Sequence, residues 1–419
     1  VVKKMKISLE LTLFSCLLLI YSCHDSRNVK KIGDQSTISY RENASELTTD
    51  SVNSRIYQER RNYTAQIATD SGTSRSFRER GDNSTPEERE EFRRQRNAER
   101  NSNIEWVKAS VSRYSPGSWH MLMEYDNLPE TAEVATTDGG IVTTQKAAAT
   151  FQFLKGRSRI DLLASMETNV HEIAHAYFDQ NVYRYMKENN LEMNMDNTQG
   201  YIYISPAKSI FITYPLKDLF PSGRLLPLIP KDLRTYRFDT YIGGNTSTQS
   251  DGLIGLLNEL NAYYLGSEYC FNMLEPYKEA AGSDAAGLFE WVTHTQSTMS
   301  AFYEFDFFIK EYLLLMKREY GADYEKLKSY RSFSDAYITI HKSYSGLIGK
   351  YLDRIEDEMK ILNSSGKAEA RIEKGWLWVK AGNSHVSSGT PVFSEEKEIL
   401  LSAIESKKYR EVERDFPVR

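Results

Sequence analysis

The sequence predicts an α+β fold, and three patterns predict it. A helix-period stripe of apolar residues runs through residues 157–190, a stretch without Gly or Pro. Short segments with strand-like alternation precede it. Two further long helical stretches, 285–320 and 334–362, follow in the C-terminal half. The expected architecture is a small mixed sheet joined to the first long helix, followed by a mainly α-helical C-terminal part.

The N-terminus comes first. Lys3, Lys4 and Lys6 precede an apolar run from Leu11 to Tyr21, and Ile20-Tyr21-Ser22-Cys23 ends it. A basic start and an apolar core of this length have the form of a signal peptide, too short to span a bilayer comfortably. The four closing residues resemble a bacterial lipobox. That resemblance implies a lipoprotein signal peptide over 1–22, cleavage before Cys23 and a diacylglycerol on its thiol. It places the chain at a bacterial cell envelope, anchored to a membrane through Cys23. Cys16 would leave with the signal, so Cys270 alone would remain and no internal disulfide could form.

Residues 23–103 are rich in Ser, Thr, Asn, Arg, Glu and Asp and poor in aliphatic side chains. Such a composition buries too little apolar surface to offset the entropy of ordering, and predicts a disordered polar tether with a reach of ~50 Å. A charged helix beginning at Thr85-Pro86 is expected near its end. Folded structure is expected from Ile104. Trp119–Tyr125 alternates like a strand, Val134–Thr137 and Ile141–Thr144 flank a hairpin turn at Asp138-Gly139-Gly140, and Ala148–Leu154 reads as another strand. Residues 201–245 hold Pro206, Pro215, Pro221, Pro227 and Pro230 and read as irregular. The apolar run Phe305–Met316 is broken by Asp306, Lys310 and Glu311, so it is not a membrane span. A net charge of −5, with no Gly-rich phosphate loop and no zinc-ribbon cysteines, gives no support for a nucleic-acid partner.

The long helix carries His171-Glu172-Ile173-Ala174-His175. Ile160, Leu163, Met166, Val170, Ala174, Tyr177 and Phe178 form its apolar stripe, and both histidines fall on the edge of that stripe. Ser158 followed by Asp161 is a capping-box start. Residues four apart on a helix lie above one another, so the two imidazoles can share one Zn²⁺, with Glu172 near enough to take a proton from an adjacent water. The bland alternative is a pair of packed or surface histidines flanking a glutamate.

A catalytic zinc usually has three protein ligands. The class that continues H-E-x-x-H-x-x-G-x-x-H is excluded, because Phe178 and Asn181 stand where its Gly and third His belong. The motif instead resembles that of the gluzincins, in which a glutamate on a later helix completes the site. Glu259 lies 84 residues beyond His175, in Asn258-Glu259-Leu260-Asn261-Ala262, a segment similar to the N-E-x-x-A form of that family. Gly252, Gly255, Glu259, Ala262 and Gly266 share one helix face. Glycines there cost ~1 kcal/mol each against alanine, so a face of small residues around one carboxylate suggests close approach of another element. Ser250 or Asp251 would cap this helix. Glu268 and Asp179 are the fallback ligands.

Some gluzincins place an aspartate four residues after the third ligand. Here Tyr263 holds that position, either accepting a hydrogen bond from a ligating imidazole or packing in the core. The family also uses a Tyr or His to stabilise the oxyanion, for which Tyr241, Tyr264, His294 and His341 are open candidates. The resemblance implies a zincin-like catalytic region over 104–275, a helical C-terminal region over 276–419, Zn²⁺ as cofactor and a peptide or protein substrate. Two other readings stand beside it. One is a binding lipoprotein on an inactive zincin fold. The other is a zinc hydrolase of a non-peptide amide or ester.

Overall fold

Proline starts the first two helices. In the computed structural model, which describes residues 85–244, 247–381, 387–394 and 396–418, helix α1 spans Pro86–Tyr114 and α2 spans Pro116–Asp126. Each opens with a proline in its first turn, where the missing N–H costs nothing. The charged helix expected from Thr85-Pro86 forms and runs from Pro86 to the end of the stretch assigned to a tether and beyond. One expectation changes here. Trp119–Tyr125 is helix, not strand, because Pro116 sets the start and Met121, Leu122 and Tyr125 are buried together at helical spacing.

The hairpin around Asp138-Gly139-Gly140 forms as expected, with β1 (Thr131–Ala135) antiparallel to β2 (Ile141–Gln145). Ala148–Leu154, expected as a strand, is instead a turn-rich loop. Asn169 holds it, donating from Nδ2 to the Thr150 carbonyl at 2.9 Å and accepting from the Phe153 N–H at 3.3 Å. The loop ends at Gly156, whose φ of +87° is a left-handed conformation that brings its Cα hard against the Asp161 side chain.

Helix α3 then runs Arg159–Glu188 from the predicted capping box. Ser158 accepts from the Asp161 N–H, and Asp161 accepts from the Ser158 N–H. A second antiparallel hairpin follows, β3 (Asn197–Ser205) with β4 (Lys208–Pro215). It occupies the front of the stretch expected to be irregular; beyond it come 3₁₀ turns and the short helix α4 (Tyr236–Tyr241). The expected mixed sheet is thus two separate antiparallel hairpins on either side of α3 in sequence. β3 packs on α3 so closely that Gly200 lies directly on the Phe178 ring, where a Cβ would fall 1.9–2.3 Å from its atoms.

Helices α5 (Gly252–Asn272), α6 (Leu274–Ala281), α7 (Asp284–Glu319), α8 (Gly321–Ser329) and α9 (Arg331–Ser365) complete the helical majority. A three-stranded antiparallel sheet, β5 (Ala368–Glu373), β6 (Trp376–Ala381) and β7 (Ser388–Pro391), is an unexpected addition to the C-terminal part. Helix α10 (Glu396–Ile404) and α11 (Arg410–Asp415) end the described chain. The described residues from Asn101 onward form one compact unit. A large hydrophobic core runs through it from Val107 to Val418, so the regions expected as 104–275 and 276–419 share that interior; a separate small cluster joins Val134, Val182, Met186 and Met193. Helix α7 is buried on nearly every face. Its charged residues Glu304, Asp306 and Lys310 are each at most 2% exposed, and each is ion-paired, as burial of charge requires. No helix among the described residues is long and apolar enough to cross a membrane.

Candidate metal centre

His171 and His175 sit one turn apart on α3 and point the same way. Their Nε2 atoms are 3.1 Å apart. Glu259 reaches them from α5, its Oε2 lying 3.6 Å from His171 Nε2 and 3.3 Å from His175 Nε2. A tetrahedral zinc site with ligands at ~2.0–2.1 Å has ligand atoms ~3.3–3.4 Å apart. The three separations bracket that edge length, and the donor set of two imidazoles and a carboxylate suits the ion. Glu259 is 2% exposed and its Oε2 lacks a hydrogen-bond donor, so a lone pair faces the same small space as the two imidazole nitrogens. The residues present therefore fit a zinc ion.

The small residues of α5 serve two different contacts. Gly266 faces Glu167, one turn before His171 on α3, and a Cβ there would approach Glu167 Oε1 to 2.9 Å. Gly252 has a φ of +53° and lies against the Phe220 carbonyl and the Tyr312 hydroxyl, so it relieves a contact away from α3. Asp251 is the N-cap residue of α5, without a side-chain hydrogen bond.

The electrostatics divide the two imidazoles. Burial, then His175 and Arg237, hold His171 well below its ordinary value. Burial also works against a charge on His175, but the Glu259 carboxylate outweighs it and, with Glu172 and Asp179, pushes His175 up to about 9. Without a cation, His175 thus carries its proton with the Glu259 carboxylate 3.3 Å away. Glu172 is raised above the ordinary carboxylate range by burial and by Glu259, against the opposing pull of His175 and Lys155. A carboxylate so raised is a better proton acceptor near neutrality. Glu167 is pushed up to about 7, chiefly by burial.

Tyr263 touches the centre differently from either expectation. Its ring packs edge-on against His171, with centroids 4.4 Å apart and planes at 66°. Its hydroxyl bonds to Tyr241 at 3.1 Å rather than to an imidazole nitrogen. The Nδ1 atoms of both histidines have no partner, so the hydrogen bond that usually orients a ligating imidazole is not made here. Of the four oxyanion candidates, Tyr241 is the one joined to this cluster, through Tyr263 and through the field of Glu259. Tyr264 donates to Glu268, His294 pairs with Glu290, and His341 pairs with Asp306. Glu268 and Asp179 are not part of the ligand cluster.

Arg237 was invisible in the sequence reading. It is 5% exposed, pairs through Nη1 with Glu304, and lays its guanidinium over the Tyr263 ring at 4.5 Å from the centroid. The only sequence signal was Glu304 itself, a carboxylate within the apolar stretch Phe302–Phe308 that had to find a cation.

No known protein family, no curated protein and no solved structure matches this chain. The segment expected to be a signal peptide, with Cys23, lies outside the described residues.

Proposed function

We propose that this protein is a zinc-dependent peptidase with a zincin-like catalytic region of the gluzincin type. The observation that carries the reading is the convergence of His171 Nε2, His175 Nε2 and Glu259 Oε2 at separations of 3.1–3.6 Å between two helices, with His171 and Glu259 buried. These three residues would hold the ion. Zn²⁺ bound there would supply Lewis acidity, acidifying a water and polarising a scissile carbonyl.

The chain's own groups do the rest. Glu172 accepts the proton of the attacking water and returns it to the leaving amine, a role its raised proton affinity favours. Tyr241 offers its hydroxyl to the carbonyl oxygen as charge develops there. Tyr263 and the flank of α5 wall the histidines on one side. The lipobox supports a further proposal, that Cys23 anchors the enzyme at the cell envelope.

Metal analysis of the purified protein tests the centre directly. About one zinc per chain is expected, and none in His171→Ala or His175→Ala. Metal content unchanged in either variant would refute the ligand set. Digestion of a peptide library tests the chemistry. Glu172→Gln should keep its zinc and lose ~10²–10⁴-fold in rate, and retained turnover would remove the mechanism.

A further inference from the structure

We propose that Arg237 is a positioning residue that sets the direction of the Tyr263–Tyr241 hydroxyl pair, so that Tyr241 presents its proton to a substrate oxygen at the His171–His175–Glu259 centre. The inference rests on the metallopeptidase reading above.

Arg237 is held rigidly. Its Nη1 pairs with Glu304 Oε2 and its backbone N–H donates to Glu304 Oε1 at 3.1 Å. Its Nη2 donates to the Ser297 carbonyl at 3.1 Å and to Ser297 Oγ at 3.3 Å. Thr235 Oγ1 closes the far side of Glu304. Four contacts are more than charge neutralisation needs, and they leave Nε as a buried donor with no acceptor of its own.

The guanidinium lies 4.5 Å from the centroid of the Tyr263 ring and polarises its hydroxyl. A guanidinium carries a permanent positive charge and only donors. A hydroxyl beside it turns its oxygen toward the cation and its proton away. For Tyr263, the acceptor on that other side is Tyr241 Oη, 3.1 Å distant. Tyr241 then receives a hydrogen bond and keeps its own proton free. The Tyr263 ring that holds Tyr241 in this way packs on His171, with centroids 4.4 Å apart, which ties the Tyr241 hydroxyl to the centre. The order Arg237, Tyr263, Tyr241 has every dipole aligned, so each bond strengthens the next. The opposite order would spend the Tyr241 proton on Tyr263 and turn a lone pair toward the substrate oxygen.

The test uses the full-length protein loaded with Co²⁺, whose visible spectrum reports the ligand shell, and acetohydroxamate as the probe for the substrate oxygens. Tyr241→Phe should weaken acetohydroxamate about tenfold by removing one hydrogen bond to it. Tyr263→Phe keeps the ring on His171 and the Arg237–Glu304 pair intact, and should weaken the probe about three- to tenfold. Arg237→Met should do the same. All three should bind Co²⁺ within about threefold of wild type. In a Tyr241→Phe background, neither Tyr263→Phe nor Arg237→Met should add a further loss, since both act through Tyr241. Should Arg237→Met fail to fold with Glu304 left unpaired, the double variant Arg237→Met/Glu304→Leu, which removes both members of the ion pair, takes its place in every comparison. Undiminished probe affinity in Arg237→Met or in Tyr263→Phe, or losses that add to that of Tyr241→Phe, would overturn the proposal while leaving the metal centre standing. Failure of the wild type to bind Co²⁺ would overturn the metal reading, and this inference with it.

Discussion

Metal binding should expel about one proton, because the Glu259 carboxylate raises the proton affinity of His175. In the metal-free centre His175 is pushed up to about 9, and the cause that overcomes its burial is the Glu259 carboxylate at 3.3 Å. At pH 7 that imidazole is therefore almost fully protonated, while His171 is neutral. Zinc needs both nitrogens unprotonated, so it must displace about one proton at pH 7. Two pH units of competition weaken the apparent affinity ~100-fold, or ~2.7 kcal/mol, relative to pH 9 and above. Between pH 6.5 and 8.5 the logarithm of the affinity should rise by about one per pH unit.

The metal-free fold should respond in the opposite direction. A histidine with a raised folded-state pKa contributes stability that is complete below its unfolded value of 6.5 and fades as pH climbs through about 9. Isothermal titration of zinc into the apoprotein, in buffers of different ionisation enthalpy, measures the proton count. Denaturant melts of the apoprotein at pH 6.5 and 9 measure the second effect. A proton count near zero at pH 7 would refute the proposed coupling between Glu259 and His175.

Other expectations follow from single contacts. Glu259→Ala should lower zinc affinity along with activity, and full affinity by equilibrium dialysis would exclude Glu259 as a ligand. Gly200→Ala places a methyl within 1.9–2.3 Å of Phe178 ring atoms and should destabilise the fold by ~1–3 kcal/mol in urea melts. Asp306 is held well below the ordinary carboxylate range: His341 and Lys310 overcome the opposing effect of its burial. Asp306→Ala should cost ~3–5 kcal/mol at pH 7. The wild-type advantage should shrink as pH falls below 3.8, the unfolded value, and an unchanging gap would contradict it. Cys23→Ala should shift the protein out of the detergent phase in Triton partitioning, and unchanged partitioning would remove the lipid anchor.

Much of the centre was legible because helical period converts spacing into direction. His171 and His175 had to share a face, and Ser158 with Asp161 had to start the helix. The small-residue face around Glu259 announced a close neighbour, although Gly252 turned out to serve Phe220 rather than α3. Trp119–Tyr125 failed because its apolar residues fit both periods, and Pro116 outweighed the alternation. Tyr263 failed for another reason. Its position on α5 was readable, but whether its hydroxyl met an imidazole or another phenol depends on α4, which enters from a distant stretch of chain. The Arg237–Glu304 pair spans 67 residues and leaves no periodic trace, since Coulomb attraction imposes no spacing along the chain.

The capping box that starts α3 also acts as a clock. Ser158 marks zero, and each residue after it advances the side-chain direction by ~100°. The two imidazoles face Glu259 only because thirteen steps separate Ser158 from His171. One residue inserted between them would swing both imidazoles ~100° away, whereas seven would return them to within ~20° of their phase. Such a one-residue insertion would leave every letter of His171-Glu172-Ile173-Ala174-His175 in place and dismantle the centre.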